Sequence, residues 1–245
     1  MTSQPLHGKS ALVTGGARRI GRAIALSLAQ AGADVAITYR TSSAEAAQTV
    51  RDIETLGRHA LAVKCDVRSE ASVRDAVAAT IDRFGRLDVV VNNAAVFQTV
   101  PLDRITLEEW DAVFETNTRG PFLVAREALS ALRAVQGRIV NIGSLGGIHA
   151  WAGHGHYCAS KAALHMLTQA MAKAFAPEVS VNCVAPGWIE PEEGSGDEAA
   201  RFAAKTPMGR NGTVDDVARA VLFFATGPSF ITGQIMAADG GLGLS

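Results

Sequence analysis

A tyrosine and a lysine four residues apart are the part of this sequence most able to carry chemistry. Tyr157 and Lys161 lie in the run Tyr-Cys-Ala-Ser-Lys, with Ser144 thirteen residues upstream. On a helix this spacing puts the phenol and the ammonium on one face, where the cation favours phenolate. Lowering a tyrosine pKa from ~10 to about 7–8 takes roughly 3 to 4 kcal/mol, much of which one close cation can supply. The pair predicts proton transfer by a phenol, although the same spacing also suits an ordinary helix surface.

The composition indicates one large domain without charge-driven partners. The chain has 245 residues, 48% of them hydrophobic and 19% charged, with a net charge of -1. This length suits a single α/β domain over residues 1–245, and the charge balance gives no general attraction to nucleic acid or anionic membranes. The three cysteines form no CxxC pair, and the polar N-terminal stretch lacks an apolar signal region. We expect a cytoplasmic protein that does not enter the membrane.

Short β-branched runs alternate with alanine-rich helical patterns along the chain. Repeated βαβ units predict an α/β fold, with a doubly wound, mostly parallel sheet of about seven strands and helices on both faces. Strands are predicted at residues 11–14, 35–38, 60–63, 89–92, 138–142, 179–184 and 234–238. Helices are predicted at residues 20–30, 44–55, 72–84, 107–132, 157–175 and 214–225.

One irregular stretch, at about residues 187–213, interrupts this alternation. It is rich in glycine, proline and acidic residues, with a short helix predicted at 198–204. Such a composition is typical of surface loops, which often carry function. We therefore predict a mobile lid over a substrate site.

The turn after the first predicted strand could bind phosphate. Residues 14–21 read Thr-Gly-Gly-Ala-Arg-Arg-Ile-Gly and open the first long helix. Gly15 permits a tight turn, and the helix N-terminus offers N–H groups and a positive dipole end to a pyrophosphate. Arg18 and Arg19 add positive charge at the same place. The segment predicts a dinucleotide site.

The residues after the second strand favour NADP(H) over NAD(H). No carboxylate stands about 20 to 25 residues after the loop, where one would bind the ribose 2′-hydroxyl. Arg40 stands there instead, and charge-assisted hydrogen bonds contribute roughly 1.5 to 3 kcal/mol each. Two such bonds to a 2′-phosphate could separate the two cofactors by more than about a hundredfold. The cofactor contacts predicted after the second strand are Tyr39, Arg40, Thr41 and Ser42, and Ile20 is a further contact predicted in the loop at 14–21.

Several further motifs follow these segments in a fixed order. They are Asp66-Val67 after the third strand, Asn92-Asn93-Ala94 after the fourth, Asn117, Ser144, Tyr157 with Lys161, and Pro186-Gly187. Together with the loop at 14–21, the set resembles the classical short-chain dehydrogenase/reductase family over essentially the whole chain. The resemblance implies a Rossmann-like fold, an oxidoreductase that uses NADP(H), a small-molecule substrate and a homotetramer.

The resemblance also implies a role for each matched residue. Ser144 would hold the reacting oxygen, and Tyr157 would exchange its proton. Lys161 would hold the nicotinamide ribose and lower the tyrosine pKa, while Asn117 would position a water relay. This chemistry needs an acid and a hydrogen-bond donor at the carbonyl oxygen and no metal. The further cofactor contacts that the resemblance implies are Asp66, Val67, Asn93, Ala94, Ala95, Pro186, Gly187 and Ile189.

Some residues depart from the common family pattern. Arg19 stands where most classical members have the middle glycine of the loop, as in pteridine reductases. Phe97 falls where those enzymes have an aromatic ring that stacks on a flat pterin. Ser144, however, stands where they have aspartate, and it is the choice of ordinary carbonyl reductases. Pro191 replaces a usual threonine beside the nicotinamide, and we predict Phe97 and Trp188 at the substrate.

Histidines near Tyr157 suggest no metal site. His149, His154 and His156 lie in a glycine-rich stretch without carboxylates or cysteines at ligand spacing. We therefore expect loop histidines, of which His154 or His156 could contact substrate.

The sequence leaves the substrate open. A pterin, a 3-oxoacyl thioester, a sugar or another ketone would each suit an acid beside a cofactor. A non-catalytic NADP(H)-sensing protein is the alternative from another class, because a cofactor fold can persist without turnover. The presence of Ser144, Tyr157 and Lys161 together favours the enzyme.

Overall fold

The seven predicted strands form one parallel sheet in the computed structural model, which describes residues 4–191 and 196–244. The strand order is β3-β2-β1-β4-β5-β6-β7, and every pairing is parallel. This confirms the doubly wound α/β fold. The strands are β1 Ser10–Val13, β2 Asp34–Tyr39, β3 Ala60–Lys64, β4 Val89–Asn92, β5 Arg138–Ile142, β6 Ser180–Pro186 and β7 Ile235–Ala238.

Helices cover both faces of the sheet, each over its own core. They are α1 Arg19–Gln30, α2 Ser43–Thr55, α3 Glu70–Phe84, α4 Leu107–Phe114, α5 Gly120–Ala134, α6 Gly155–Phe175, α7 Gly196–Lys205 and α8 Val214–Thr226. Side chains alternate along β1, so that Ala11 and Val13 join the core under α1 and α8 while Leu12 joins the core under α3, α5 and α6. No helix in the described parts of the chain is both long and apolar enough to cross a membrane.

The strand order reverses between β1 and β4. Strands β2 and β3 lie on one side of this point, and β5, β6 and β7 lie on the other. The connections that leave the carboxyl ends of β1 and β4 therefore run in opposite directions along the sheet. They leave a crevice between them, which is where ligands bind in doubly wound sheets.

The predicted single helix at 107–132 is wrong in detail. The structure has α4, then a π-helical turn at Glu115–Arg119, then α5. Pro121 explains part of the change, because it lacks the N–H that would donate to the Asn117 carbonyl in an α-helix. The π-helical turn makes the helix wider at Asn117 than an α-helix would be.

The two ends of the predicted lid segment are bonded to each other. Ile189 pairs with Gly212 in an isolated bridge, and the Glu190 N–H donates to the Gly212 carbonyl at 2.9 Å. Within the lid lies α7, near the predicted helix at 198–204. Residues 192–195 of the lid lie outside the described residues, and its mobility stays a prediction.

Candidate active site

One cleft at the carboxyl ends of the strands brings the predicted site residues together. Its volume is about 1150 Å³. All the predicted catalytic, cofactor and substrate residues line it except Asn117. The sequence motifs therefore converge although they are spread over most of the chain.

The loop at 14–21 owes its shape to its neighbours. Gly15 has a φ of 63°, and its N–H donates to the Thr38 hydroxyl at 3.2 Å. The side-chain amide of Asn93 donates to the carbonyls of Thr14 and Gly15 at 2.9 and 3.0 Å. Asn93 was expected along the cofactor, and in the structure its side chain braces the loop that would hold the phosphates.

Arg19 takes the backbone conformation of the glycine that it replaces. Its φ is 49°, in the left-handed region that glycine adopts most easily. The residue opens α1, so its side chain stands at the helix N-terminus and lines the cleft. The chain thus accepts backbone strain at this position and gains a cation beside the phosphate site.

Gly21 leaves room that the loop needs, and Gly21→Ala should disrupt it. A Cβ atom there would overlap the carbonyl oxygen of Gly15 and approach Asn93 Nδ2 to 2.5 Å. Overpacking of this kind costs about 1–3 kcal/mol, so we expect a lower melting temperature and an NADPH Kd raised more than about tenfold. Calorimetry and fluorescence titration would measure both.

Gly153→Ala provides the matched control for this variant. A Cβ atom at Gly153 would meet only the Thr99 methyl, at 3.6 Å. This control should leave both quantities near the wild-type values. An equally stable Gly21→Ala variant with normal NADPH affinity would contradict the tight-turn interpretation.

The arginines in and near the cleft differ in whether a carboxylate pairs with them. Arg40 is exposed and makes no hydrogen bond or ion pair with the described residues. Asp66 pairs with Arg68 at 2.6 Å, which lowers the pKa of the carboxyl. Arg22 pairs with Asp52 at 2.6 Å outside the cleft lining. Arg40 therefore keeps its guanidinium available for an anionic ligand.

Ser144 and Tyr157 come together at the inner end of the cleft. Ser144 follows β5, and its hydroxyl accepts from the Gly146 N–H at 3.0 Å. Tyr157 lies in the first turn of α6. Burial raises the pKa of the phenol, and a hydrogen bond with the Ser144 side chain offsets part of this rise. The arrangement places a protonated phenol beside a hydroxyl, both facing the cleft.

The predicted lowering of the Tyr157 pKa is wrong for this structure. The Lys161 ammonium donates to the Ile142 carbonyl at 2.7 Å and lies 5.8 Å from the centre of the Tyr157 ring. The cation is therefore near the phenol without being bonded to its oxygen. Desolvation of the phenol outweighs that charge, so its pKa rises.

Lys161→Met should give a more stable but inactive protein. Lys161 is 2% exposed, and burial lowers the pKa of its ammonium to about 8, against ~10.4 in an unfolded chain. Between these values the unfolded chain binds more protons, so wild-type stability should rise with pH relative to the variant. The rise should reach roughly 3 kcal/mol between about pH 7 and pH 10. Urea unfolding at both pH values measures it, and parallel pH dependence would contradict the buried charge.

Asn117 lies behind the cleft, between the loop after β4 and α6. It is 1% exposed and does not line the cleft. Its side-chain oxygen accepts from the Val96 N–H at 2.8 Å. Its amide donates to the Val96 carbonyl at 2.9 Å and to the Ser160 hydroxyl at 3.1 Å. The side chain therefore braces the loop after β4 against α6, and its part in a water relay stays a prediction.

Aromatic side chains surround the mouth of the inner cleft. Phe97 is 57% exposed and stacks on His154, with ring centres 4.6 Å apart. It also meets Tyr157 edge-on at 4.8 Å, and Trp151 lies parallel to Tyr157 at 6.5 Å. These contacts place the exposed Phe97 ring at the cleft, directly beside Tyr157.

Two of the aromatic residues were missed by the sequence reasoning. Trp151 lies in a glycine-rich stretch with no periodic pattern, and Phe202 lies on α7. Phe202 stacks on Trp188 with ring centres 5.2 Å apart. Trp188 and Phe202 meet only because α7 packs against the segment after β6, so the sequence carried no signal for this pair.

Known proteins are similar to this chain over nearly its whole length. The model of the enoyl-(acyl carrier protein) reductase family matches residues 15–243. A 3-oxoacyl-[acyl-carrier-protein] reductase of Synechocystis sp. is 39% identical over 242 residues, covering 97% of this chain and 98% of the relative. The corresponding Staphylococcus aureus reductase is 36% identical over 240 residues, covering 96% and 98%.

Solved structures of similar proteins share the fold. A short-chain dehydrogenase from Burkholderia cenocepacia in complex with NADP has a TM-score of 0.91 at 40% identity, covering 97% of this chain and 99% of that one. A blue fluorescent protein from a metagenomic library in complex with NADPH has a TM-score of 0.92 at 37% identity, with the same coverage. A short-chain dehydrogenase/reductase from Serratia marcescens has a TM-score of 0.93 at 36% identity, covering 98% and 99%.

Proposed function

The chain belongs to the short-chain dehydrogenase/reductase family of oxidoreductases, and we propose that it is an NADPH-dependent carbonyl reductase acting on 3-oxoacyl thioesters. The observation that carries the proposal is the placement of the buried Ser144 hydroxyl beside the half-buried Tyr157 phenol, which line the cleft together with Lys161. A hydroxyl and a protonated phenol suit the oxygen of a carbonyl that receives hydride.

The residues of the chain divide the work of reduction. NADPH, when bound, supplies the hydride to the carbonyl carbon. Ser144 donates a hydrogen bond to the carbonyl oxygen and so stabilises the negative charge that develops there. Tyr157 gives its proton to the same oxygen, because its raised pKa keeps it protonated near pH 7. The Lys161 ammonium, 5.8 Å from the ring, stabilises the phenolate that remains.

The cofactor end of the cleft fits an anionic dinucleotide. Gly21 has no side chain, so the loop at Gly15 packs directly against the start of α1 and can present its backbone to a pyrophosphate, and Arg18 and Arg19 line the same end. Arg40, which is unpaired among the described residues, would hold a 2′-phosphate. The complexes of two similar proteins with NADP and NADPH support this choice of cofactor.

Two substrate classes have specific support. The 3-oxoacyl class is supported by the names of relatives that are 39% and 36% identical to the chain, and Ser144 suits its carbonyl. A dihydropterin is the second candidate, because Phe97 is 57% exposed beside Tyr157 and could stack on a flat ring. Arg19 in the loop also favours this candidate, whereas Ser144 does not.

Following NADPH oxidation with a substrate panel tests the proposal. The panel contains a 3-oxoacyl thioester, the matching enoyl thioester, a dihydropterin, a simple ketone and a sugar. We expect the highest kcat/KM with the 3-oxoacyl thioester. A preference for the dihydropterin or for the enoyl thioester would overturn the substrate class while keeping the reductase. NADPH binding without oxidation of NADPH by any of them would favour a sensor protein.

We also propose a single domain over the whole chain, a lid at 187–213 and a homotetrameric assembly in the cytosol. The one seven-stranded sheet and the bridge between Ile189 and Gly212 support the first two. The tetramer follows the family expectation, and light scattering coupled to size exclusion would measure it. A monomeric mass at micromolar concentration would contradict the assembly.

A further inference from the structure

A buried histidine behind Ser144 has no part in the chemistry described above. His165 lies on α6 one helical turn beyond Lys161, and it is 8% exposed. Burying a polar ring is costly unless its nitrogens find hydrogen-bond partners. The partners of this ring therefore indicate what it holds in place.

The His165 ring contacts the turn that carries Ser144. Its Nε2 atom accepts from the Ser144 backbone N–H, with 3.4 Å between the nitrogens. The ring also lies against Gly147, where an added Cβ atom would be 2.6 Å from its Cε1 atom. Ser144 precedes the 3-10 turn that spans Leu145–Gly147, and Gly147 ends it. The ring thus joins α6, which carries Tyr157, to the segment that carries the reacting hydroxyl.

Two glycines leave the space that the ring occupies. A Cβ atom at Gly143 would overlap Nε2 of His165, and one at Gly147 would lie 2.6 Å from its Cε1 atom. A side chain at either position would displace the ring. The histidine and both glycines therefore form one fitted unit under the turn.

The groups around His165 keep its ring neutral. The Lys161 ammonium approaches it from the same helix, and the Cys183 thiol lies beside it on β6. Burial and the Lys161 charge lower the pKa of the ring to about 4. Burial raises the pKa of the Cys183 thiol to about 12, so the thiol is uncharged near pH 7. A neutral ring that accepts at Nε2 carries its proton at Nδ1, as the bond from the Ser144 N–H requires.

We propose that His165 is a positioning residue whose neutral ring holds the Ser144 hydroxyl in register with the Tyr157 phenol. The proposal rests on the proposed reductase function. His165 does not line the cleft, so it acts through Ser144 and not on the substrate. Ser144 and Tyr157 come from separate elements, and the ring links these elements directly.

Steady-state kinetics of two variants test this role. His165→Leu keeps a buried side chain but removes the hydrogen bond to the Ser144 N–H, and we expect kcat to fall ~10- to 100-fold, because small misplacements of reacting groups cost on this scale. The KM for NADPH should stay within about twofold, since the phosphate loop is remote from the ring. His165→Gln, whose amide can accept and donate, should recover most of kcat.

A double-mutant cycle with Ser144→Ala separates positioning from general damage. If His165 acts through the Ser144 hydroxyl, His165→Leu should change kcat by less than about twofold in the Ser144→Ala background. Thr168→Val is the matched control, because it deletes a buried hydroxyl on the same helix that bonds Asn141. It should lower stability and leave kcat near the wild-type value. Multiplicative losses in the cycle, or an equal loss of kcat in Thr168→Val, would overturn the proposal.

Side-chain nitrogen NMR of the wild-type chain gives a readout that needs no turnover. The His165 signals, assigned by comparison with His165→Gln, should show a neutral ring protonated at Nδ1 near pH 7, with Nε2 as acceptor. An imidazolium, or a ring protonated at Nε2, would refute the proposal. If the wild-type chain reduced no carbonyl compound, the proposed function would fail, and the NMR result alone would decide whether the ring holds the turn.

Discussion

Tyr157→Phe is expected to lower kcat for carbonyl reduction by about a thousandfold while NADPH binding stays nearly unchanged. Removing a positioned general acid costs about 10²- to 10⁴-fold, and the variant removes only the phenol oxygen. The phenyl ring keeps its contacts with Phe97 and Trp151, so the cleft should keep its shape. Single-turnover NADPH oxidation and a fluorescence titration measure the two quantities.

Tyr39→Phe is the matched control for this result. Tyr39 also lines the cleft, but at the cofactor end beside Arg40. Loss of its hydroxyl should affect the KM for NADPH more than kcat. A Tyr157→Phe variant that retained more than about a tenth of wild-type kcat would mean that another group supplies the proton.

The second large effect is expected from Arg40→Ala on the choice of cofactor. The guanidinium lines the cleft and makes no hydrogen bond or salt bridge with the described residues, its charge acting only at longer range on Asp66, so a 2′-phosphate would be its main ligand. Losing charge-assisted hydrogen bonds of about 1.5 to 3 kcal/mol should lower kcat/KM with NADPH by roughly 10- to 150-fold. The value with NADH should change by less than about twofold, since NADH lacks that phosphate. Initial rates with both cofactors measure the ratio.

Arg22→Ala controls for the loss of one positive charge outside the cleft, on α1. Arg22 is held by Asp52 at 2.6 Å, so its removal should leave the NADPH to NADH ratio close to that of the wild type. Equal losses with both cofactors in Arg40→Ala would exclude the 2′-phosphate as the partner of this arginine.

The secondary structure was largely predictable because it depends on local patterns. The strands β4 and β5 occur at the predicted residues, since continuous Val and Ile runs mark buried parallel strands. The helix predicted at 107–132 is interrupted by the π-helical turn at Glu115–Arg119, where Pro121 removes one α-helical hydrogen bond. What the local pattern lacked was the contact of Asn117 with Val96 and Ser160.

The members of the candidate site were also predictable, whereas their electrostatics were not. The spacing of Tyr157 and Lys161 predicted two side chains on one helical face, and the ring and the ammonium do lie 5.8 Å apart. The pKa of Tyr157 shifts against the prediction, because desolvation by the surrounding chain raises it, and the same burial lowers the pKa of Lys161. Desolvation depends on everything that surrounds a group, and no spacing rule contains that information.

By itself, the sequence determined the family, the parallel α/β fold and the set of groups able to transfer a proton beside a dinucleotide. These depend on residue type and on short-range periodicity, which can be recognised within short segments of the chain. The tertiary structure decided that Asn93 and Asn117 brace loops, that Phe202 reaches the cleft and that His165 lies beneath Ser144. Each of these depends on contacts between segments far apart in sequence, so only the folded chain defines them.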